Sequence, residues 1–223
     1  MGLGIVIFHV LVALAAPLVA RYDPLKLGAD SFVPPSAEHP MGTDDLGRDI
    51  CSGVVFGARA SLLIGFLAAL SSTVIGIFLG SISGYYGGTV DTILMRVAEY
   101  FQIVPRFFLA VVMVALSRPS VFVVIFVIAI LSWPGTCRLV RAEFLSLRER
   151  PFVEAARALG ERSPYIIVKE ILPNAIPPAI VSGTLEIARA ALLESGLSFL
   201  GLGDPSVISW GYLLMNAQRF LMH

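Results

Sequence analysis

Residues 151–173 read PFVEAARALGERSPYIIVKEILP, a charged segment between two long apolar stretches of the chain. Pro151 suits the first position of a helix, where its missing N–H costs nothing. Gly160 is typical of the left-handed residue that ends a helix. The Ser-Pro pair at 163–164 predicts a second helix, and Pro173 predicts its end, because the residue before a proline is pushed out of the α region. The segment is therefore predicted to form two short helices joined at a glycine corner.

The first of these helices has two chemically different sides. Its apolar residues at helical spacing are Phe152, Ala156 and Leu159, and its charged residues on the opposite side are Glu154, Arg157 and Glu161. A charged hairpin with apolar flanks indicates a surface that a partner protein binds. The alternative is an amphipathic helix on the membrane surface, but such helices carry bulky apolar anchors and a Lys/Arg-rich polar face, whereas this polar side mixes both signs.

The composition is that of a membrane protein with several spans. Of the 223 residues, 57% are hydrophobic and only 14% are charged, with a mean hydropathy of +0.83. Soluble domains have about 45–50% apolar and about 25% charged residues. The 16 basic residues balance the 16 acidic ones, so bulk charge gives no indication of nucleic-acid binding. The two cysteines, Cys51 and Cys137, lie in segments that we place on opposite membrane sides, and we expect no disulfide between them.

The apolar segments predict an all-α protein with about five transmembrane helices. They cover residues 3–20, 61–84, a third segment ending at 116, residues 120–140 and residues 175–199, lengths near the ~20 residues that a bilayer requires. Pro105 predicts a kink or break in the third segment. Gly76 and Gly80, four apart in the second, suit close helix packing in lipid.

The N-terminal segment resembles a secretory signal in length but not in charge. It lacks a basic region before the apolar run, and Arg21 follows that run instead. We therefore interpret residues 1–60 as a first transmembrane helix plus an external loop, and residues 61–223 as the remaining transmembrane domain.

Basic residues near the span ends predict the orientation. Residues 137–170 hold seven of them: Arg138, Arg141, Arg148, Arg150, Arg157, Arg162 and Lys169. Residues 21–60 hold four basic residues against six acids. The charged hairpin is therefore predicted to be cytoplasmic, residues 21–60 external, and the turn at 85–89 cytoplasmic.

The sequence carries no enzymatic motif that we recognise. It has no phosphate-binding loop, no Cys/His spacing typical of a metal site and no Gly-x-Ser-x-Gly elbow. We therefore expect no catalytic residue, no metal ligand and no cofactor in this chain. Three charged residues lie inside the fifth span, namely Glu186, Arg189 and Glu194. Intramembrane charges are costly, and these three either line a water-filled pathway or form a structural pair against another helix; a proton relay would need further members.

Three separated motifs resemble the permeases of bacterial ABC importers. The first is Glu154-Ala155-Ala156 with Gly160 and Leu172-Pro173, which is similar to their cytoplasmic EAA loop. The general pattern has isoleucine at position 170, where this chain has Glu170, but Ile-Leu-Pro-Asn at 171–174 resembles the dipeptide, oligopeptide and nickel branch. The other two motifs, MGTDDLGRD at 41–49 and ESGLSFLGLG at 194–203, resemble the C-type permease subunit of that branch.

The resemblance implies a non-enzymatic transport subunit with the type I importer fold, in a bacterial cytoplasmic membrane. Expected partners are the lipid bilayer, a second permease of B type, two ATPase subunits that bind Mg-ATP, and an extracytoplasmic solute-binding protein. The EAA loop, with Glu154, Ala155, Ala156, Arg157, Gly160, Leu172 and Pro173, is expected to couple the ATPases to transport. The transported solute is expected to be a di- or oligopeptide or a related solute such as nickel. An ion-gradient-driven transporter or channel and a membrane assembly protein are the alternatives.

Two expectations concern the ends of this sequence and its external loop. The resemblance implies a sixth span after Trp210-Gly211, which a chain ending at His223 does not contain. In the external run, Thr43, Asp44 and Asp45 suit the capping of a helix that starts near Leu46. The alternative is that they form, with Arg48, a surface facing the binding protein.

Overall fold

The computed structural model describes residues 2–220, and its regular structure there is helical. The helices are α1 (Gly2–Leu14), α2 (Ala16–Val19), α3 (Ile50–Tyr86), α4 (Gly88–Ile103), α5 (Arg106–Ala115), α6 (Val121–Leu147), α7 (Pro151–Ala158), α8 (Ser163–Phe199) and α9 (Trp210–Ala217), with a 3-10 turn at Gln218–Phe220. The pairing between strand-like residues in this part of the chain is an isolated bridge between Thr43 and Asp49. The predicted all-α class is confirmed.

Within residues 2–220, three helices are long and apolar enough to cross a membrane, namely α3, α6 and α8. Helices α4 and α5 together make a fourth candidate span that is bent by 84° at its break. Helix α4 ends at Ile103, and α5 begins at Arg106, directly after Pro105. The predicted break at Pro105 is confirmed, because proline lacks the N–H that would continue the ladder.

The span expected at residues 3–20 is shorter in the structure. Helix α1 has 13 residues and is followed by a turn at Ala15 and the four-residue α2. At 1.5 Å per residue, α1 covers roughly 20 Å of the ~30 Å hydrocarbon core. Pro17 explains the interruption, because it has no N–H to bond the carbonyl four residues earlier.

Helix α3 begins at Ile50, eleven residues before the predicted start at Ser61. The Asp49 carboxylate accepts the Ser52 N–H at 2.7 Å, which is the bond of an N-cap residue to the third residue of its helix. The predicted helix start near Leu46 and its caps were therefore wrong by about one turn. Gly, Ser and Arg residues among 50–60 lower the hydropathy there without breaking the helix.

A stripe of glycines lets α3 approach α6 closely. A Cβ added to Gly76 would lie 2.7 Å from the Thr136 Cβ, and one added to Gly80 would lie 2.9 Å from the Val140 Cβ. Gly84 continues the stripe against Phe144. Real side chains do not tolerate such contacts, so the predicted role of Gly76 and Gly80 in helix packing is confirmed.

The chain forms two compact units. The first comprises the described parts of residues 1–66, 114–125 and 191–223, and the second comprises residues 67–113 and 126–190. The second unit holds the glycine stripe and the charged hairpin. The first holds the loop before α3 and the end of α8.

Candidate functional site

Helix α7 ends at a glycine corner formed by backbone hydrogen bonds. Gly160 has φ +81°, and its N–H donates to the Arg157 carbonyl at 3.0 Å, while the Glu161 N–H donates to the Ala156 carbonyl at 3.1 Å. These two bonds are the Schellman motif. A Cβ on Gly160 would meet no atom within 4 Å, so the backbone conformation alone requires glycine. The predicted left-handed stop is confirmed.

The hairpin buries one face and exposes the other. Its buried core consists of Val140, Phe144, Val153, Ala156, Ile166, Ile171, Ala175 and Ala179. The predicted apolar face was wrong at Phe152, which is 39% exposed, and at Leu159, which is 83% exposed. The buried residues of α7 are instead Val153 and Ala156, three positions apart. Glu154, Ala155 and Arg157 lie on the exposed side.

A π-helical turn at Ile166–Ile171 continues the hairpin into the long span. The Leu172 N–H donates to the Ile167 carbonyl, five residues earlier, and the helix then runs on through Pro173 to Phe199. The prediction that Pro173 ends the helix was wrong. In a regular α-helix the proline ring would meet the carbonyl four residues earlier, and the wider turn directly before Pro173 displaces that carbonyl.

The hairpin also contacts the turn between α3 and α4. The Arg157 guanidinium carbon lies 5.7 Å from the centroid of the Tyr85 ring, and Tyr85 packs partly buried against the hairpin core. A cation over an aromatic face at a partly exposed site contributes about 0.5–1 kcal/mol. The outer face of the hairpin is therefore connected to the last turn of α3 through this side-chain pair.

An ion pair fixes that turn to α6. The Arg141 Nη2 group donates a hydrogen bond to Asp91 Oδ2 at 2.6 Å, and the Arg141 Nε–H donates to Asp91 Oδ1. The Ser83 hydroxyl donates to the same carboxylate. Arg148 donates to the Gly84 carbonyl at 3.2 Å. This cluster was not predicted from the sequence, because 50 residues separate Asp91 from Arg141 and neither has a local signal.

The intramembrane charges of α8 form two separate clusters. In the first, the buried Glu186 carboxylate accepts from Arg106 at 2.7 Å and from Arg189 at 3.4 Å, and Arg106 also donates to the Ser132 hydroxyl at 3.3 Å. Glu186 and Arg189 were predicted from the sequence, but Arg106, which lies 80 residues from Glu186, was not. The position of Arg106 directly after the Pro105 break was the available signal for a fourth intramembrane charge.

The second cluster surrounds Glu194, which is 1% exposed. Its carboxylate accepts from the hydroxyls of Ser198 at 2.7 Å and Ser61 at 3.1 Å. The Ser61 hydroxyl in turn accepts the Trp210 N–H at 3.2 Å. These hydrogen bonds join Glu194 of α8 to Ser61 of α3, and Ser61 to the start of α9.

Residues 41–49 make hydrogen bonds within the run, to the preceding loop and to α9. The Thr43 hydroxyl accepts the Val33 N–H at 2.9 Å and donates to the Asp30 carbonyl at 3.0 Å. Asp44 binds Arg48 at 2.7 Å, and Arg48 donates to the Tyr212 hydroxyl at 3.3 Å. Thr43 and Arg48 are buried, whereas Asp44 and Asp45 are half-buried. A role of this run toward a binding protein stays a prediction.

Asp49, at the end of this run, and Tyr212 of α9 have displaced pKa values. Burial alone would raise the pKa of Asp49, but hydrogen bonds from Ser52 and His39 outweigh it and hold that pKa below its ordinary value. The hydrogen bond from Arg48 lowers the pKa of Tyr212. The His39 Nδ1 to Asp49 Oδ1 distance is 2.9 Å. Within residues 2–220 no group of three His, Cys, Asp or Glu side chains could hold a metal ion.

Comparison with known sequences identifies a family match and several curated relatives. The profile of the family described as binding-protein-dependent transport system inner membrane component matches residues 76–222. A probable peptide ABC transporter permease of Sinorhizobium fredii is 43% identical over 99% of this chain and 76% of its own length. A dipeptide transport system permease of Alkalihalophilus pseudofirmus is 39% identical over 99% of this chain and 73% of its own length. An oligopeptide transport system permease of Bacillus subtilis is 39% identical over 94% of this chain and 70% of its own length.

Comparison with solved structures identifies the same fold. One crystal form of the MetNI methionine ABC transporter, described as inward facing, matches with a TM-score of 0.56 at 19% identity over 78% of this chain and 89% of that one. A second form matches with a TM-score of 0.54 at 19% identity over 74% and 86%. At this identity the likeness shows the fold alone.

Proposed function

Because this chain belongs to the family of binding-protein-dependent transport system inner membrane components, we propose that it is the permease subunit of an ATP-driven importer of di- or oligopeptides or a related solute such as nickel. Relatives at 39–43% identity carry peptide, dipeptide and oligopeptide permease names, which supports the peptide class. The chain would form half of a translocation pathway in the cytoplasmic membrane, beside a second permease of B type.

The remaining partners follow from the same proposal. Two ATPase subunits would bind Mg-ATP and contact this chain on the cytoplasmic side, and an extracytoplasmic binding protein would deliver the solute. The excess of basic residues around the hairpin supports its cytoplasmic position. The external run 41–49 would then lie on the side of the binding protein.

The observation that supports the coupling role is that the hairpin packs one face into a core and exposes the other. Val153 and Ala156 anchor α7 in a core shared with α6 and α8, while Glu154, Ala155 and Arg157 remain exposed. Because the opposite face of α7 is packed in this core, a displacement of the exposed face by an ATPase would be transmitted to α6 and α8. The pair of Arg157 with Tyr85 extends the connection to the last turn of α3.

The test compares two alanine-to-tryptophan variants in the assembled importer, reconstituted in proteoliposomes. Ala155→Trp adds bulk on the exposed side of α7, and Ala115→Trp adds the same bulk at the exposed end of α5. We expect Ala155→Trp to abolish ATP-dependent dipeptide uptake while membrane insertion and the yield of the protein stay normal. Ala115→Trp should transport like the wild type.

Normal uptake by Ala155→Trp would refute the coupling role. Uptake by this chain alone, driven by an ion gradient without ATP, would indicate a secondary transporter or channel. A normal rate of uptake in a strain lacking this chain would indicate an assembly protein.

A further inference from the structure

We propose that Arg106 and Arg189 form a binding site for the carboxylate of the solute on the translocation pathway, with Glu186 as the residue that positions them. The inference rests on the proposed function as a peptide permease. It adds a site and a ligand chemistry to that function.

Arg189 lies deep in the membrane-spanning part of α8. Helix α8 has 37 residues, more than the ~20 that span a bilayer, and its N-terminal part belongs to the charged hairpin. Arg189 lies ten residues before the helix end at Phe199, near the middle of the last ~20 residues. The Arg189 side chain is 64% exposed.

Lipid is excluded as the neighbour of the Arg189 side chain. A guanidinium facing hydrocarbon at mid-span costs several kcal/mol, so such residues face water or protein. The exposed residues of α8 between 180 and 192 form one stripe: Ile180, Val181, Thr184, Leu185, Ala188, Arg189 and Leu192. This stripe therefore faces an aqueous pathway or another polar group, and not lipid, at the level of Arg189.

The charges of the Glu186 cluster do not balance. One carboxylate, Glu186, faces two guanidinium groups, which leaves one positive charge. Glu186 is 7% exposed, whereas the Arg106 side chain is 36% exposed. The contact of Arg189 with Glu186 is long at 3.4 Å and uses one of the five N–H donors of its guanidinium. Among the described residues no second acid joins this cluster.

The guanidinium groups indicate the chemistry of the ligand. A guanidinium with free donors recognises a carboxylate through paired hydrogen bonds. A linear peptide carries one such group at its C-terminus whatever its sequence, so this site would act on all peptides alike. The Glu194 cluster offers only hydroxyl donors around a carboxylate and is unsuited to an anion.

The experiment uses the complete importer in proteoliposomes, with labelled dialanine and labelled dialanine amide as probes. The variants are Arg189→Gln, Arg106→Gln and Arg189→Lys. Arg118→Gln, in the exposed segment between α5 and α6, is the matched control. Uptake and the ATPase activity stimulated by the loaded binding protein are measured on the same preparations.

We expect Arg189→Gln to lower dialanine uptake about ten- to hundred-fold, the range of a lost hydrogen bond to a charged group. The stimulated ATPase activity and the uptake of the amide should change little, Arg106→Gln should show a smaller loss, and Arg189→Lys should recover part of the uptake.

The inference fails if Arg189→Gln transports dialanine like Arg118→Gln, or if acid and amide uptake fall equally. It also fails if Arg189→Gln no longer co-purifies with the second permease, because the guanidinium then meets a carboxylate of that subunit. Absence of ATP-dependent uptake in the wild type would instead refute the proposed function.

Discussion

Replacing Gly160 with alanine tests whether the hairpin corner must be held in its left-handed conformation. At φ +81° an L-residue is disfavoured by roughly 1–2 kcal/mol. The added methyl meets no atom within 4 Å, so no steric clash contributes. Alanine also reduces the freedom of the unfolded chain, which offsets about 0.4–1 kcal/mol. We expect a net destabilisation of the hairpin of about 0.5–1.5 kcal/mol.

Hydrogen exchange of the purified complex in nanodiscs measures this local effect. Amides of α7 and the corner should exchange about 2- to 12-fold faster in Gly160→Ala, the factor that corresponds to this free energy. Gly135→Ala is the matched control, because Gly135 is also free of neighbours but lies within helix α6. That variant should be neutral or more stable by roughly 0.5–1 kcal/mol.

Two outcomes would contradict the reasoning. One is unchanged exchange and uptake in Gly160→Ala. The other is equal acceleration in Gly135→Ala, which would show that loss of glycine in general is responsible. Gly160→Pro goes further, since proline cannot adopt a positive φ and removes the N–H that bonds Arg157. It should uncouple ATP hydrolysis from uptake while membrane insertion remains normal.

Three further expectations concern other parts of the chain. Gly80→Leu should prevent close packing of α3 on α6 and destabilise the protein by about 1–3 kcal/mol or more, seen as a lower melting temperature or yield; a wild-type melt would disprove the close contact. Asp91→Asn should weaken the pair with Arg141 by roughly 1–3 kcal/mol, whereas a normal melting temperature would show the pair to be dispensable. The lowered pKa of Asp49 means that its carboxylate stabilises the loop before α3 above the unfolded pKa, near 4, and that this contribution disappears as the pH falls through the lower folded value. Protease sensitivity of the loop should therefore rise on acidification, and Asp49→Asn should be sensitive at all pH values.

Features with a local cause were predictable from the sequence. The Pro105 break, the Gly160 corner and the packing role of Gly76 and Gly80 each depend on one residue type and its immediate neighbours. The composition alone predicted a membrane protein. The hairpin motif led to the family.

Features that depend on tertiary contacts were not predictable. The pairs of Asp91 with Arg141 and of Arg106 with Glu186 join residues 50 and 80 positions apart. The buried face of α7 was misassigned because Phe152 and Leu159 match helical spacing as well as Val153 does, and only the position of the core decides between them. Pro173 was misread because the rule for regular helices does not include a wide turn before the proline.

The π turn at Ile166–Ile171 has a consequence for how the length of this segment can vary. A π turn contains one residue more than an α turn, and each residue rotates an α-helix by about 100°. Deleting one residue there would restore ordinary winding and turn the hairpin by about that angle relative to Glu186 and Arg189 further along α8. The extra residue thus sets the rotational phase between the exposed side of α7 and the charged side chains of α8, and single-residue insertions or deletions in this turn should be selected against more strongly than substitutions.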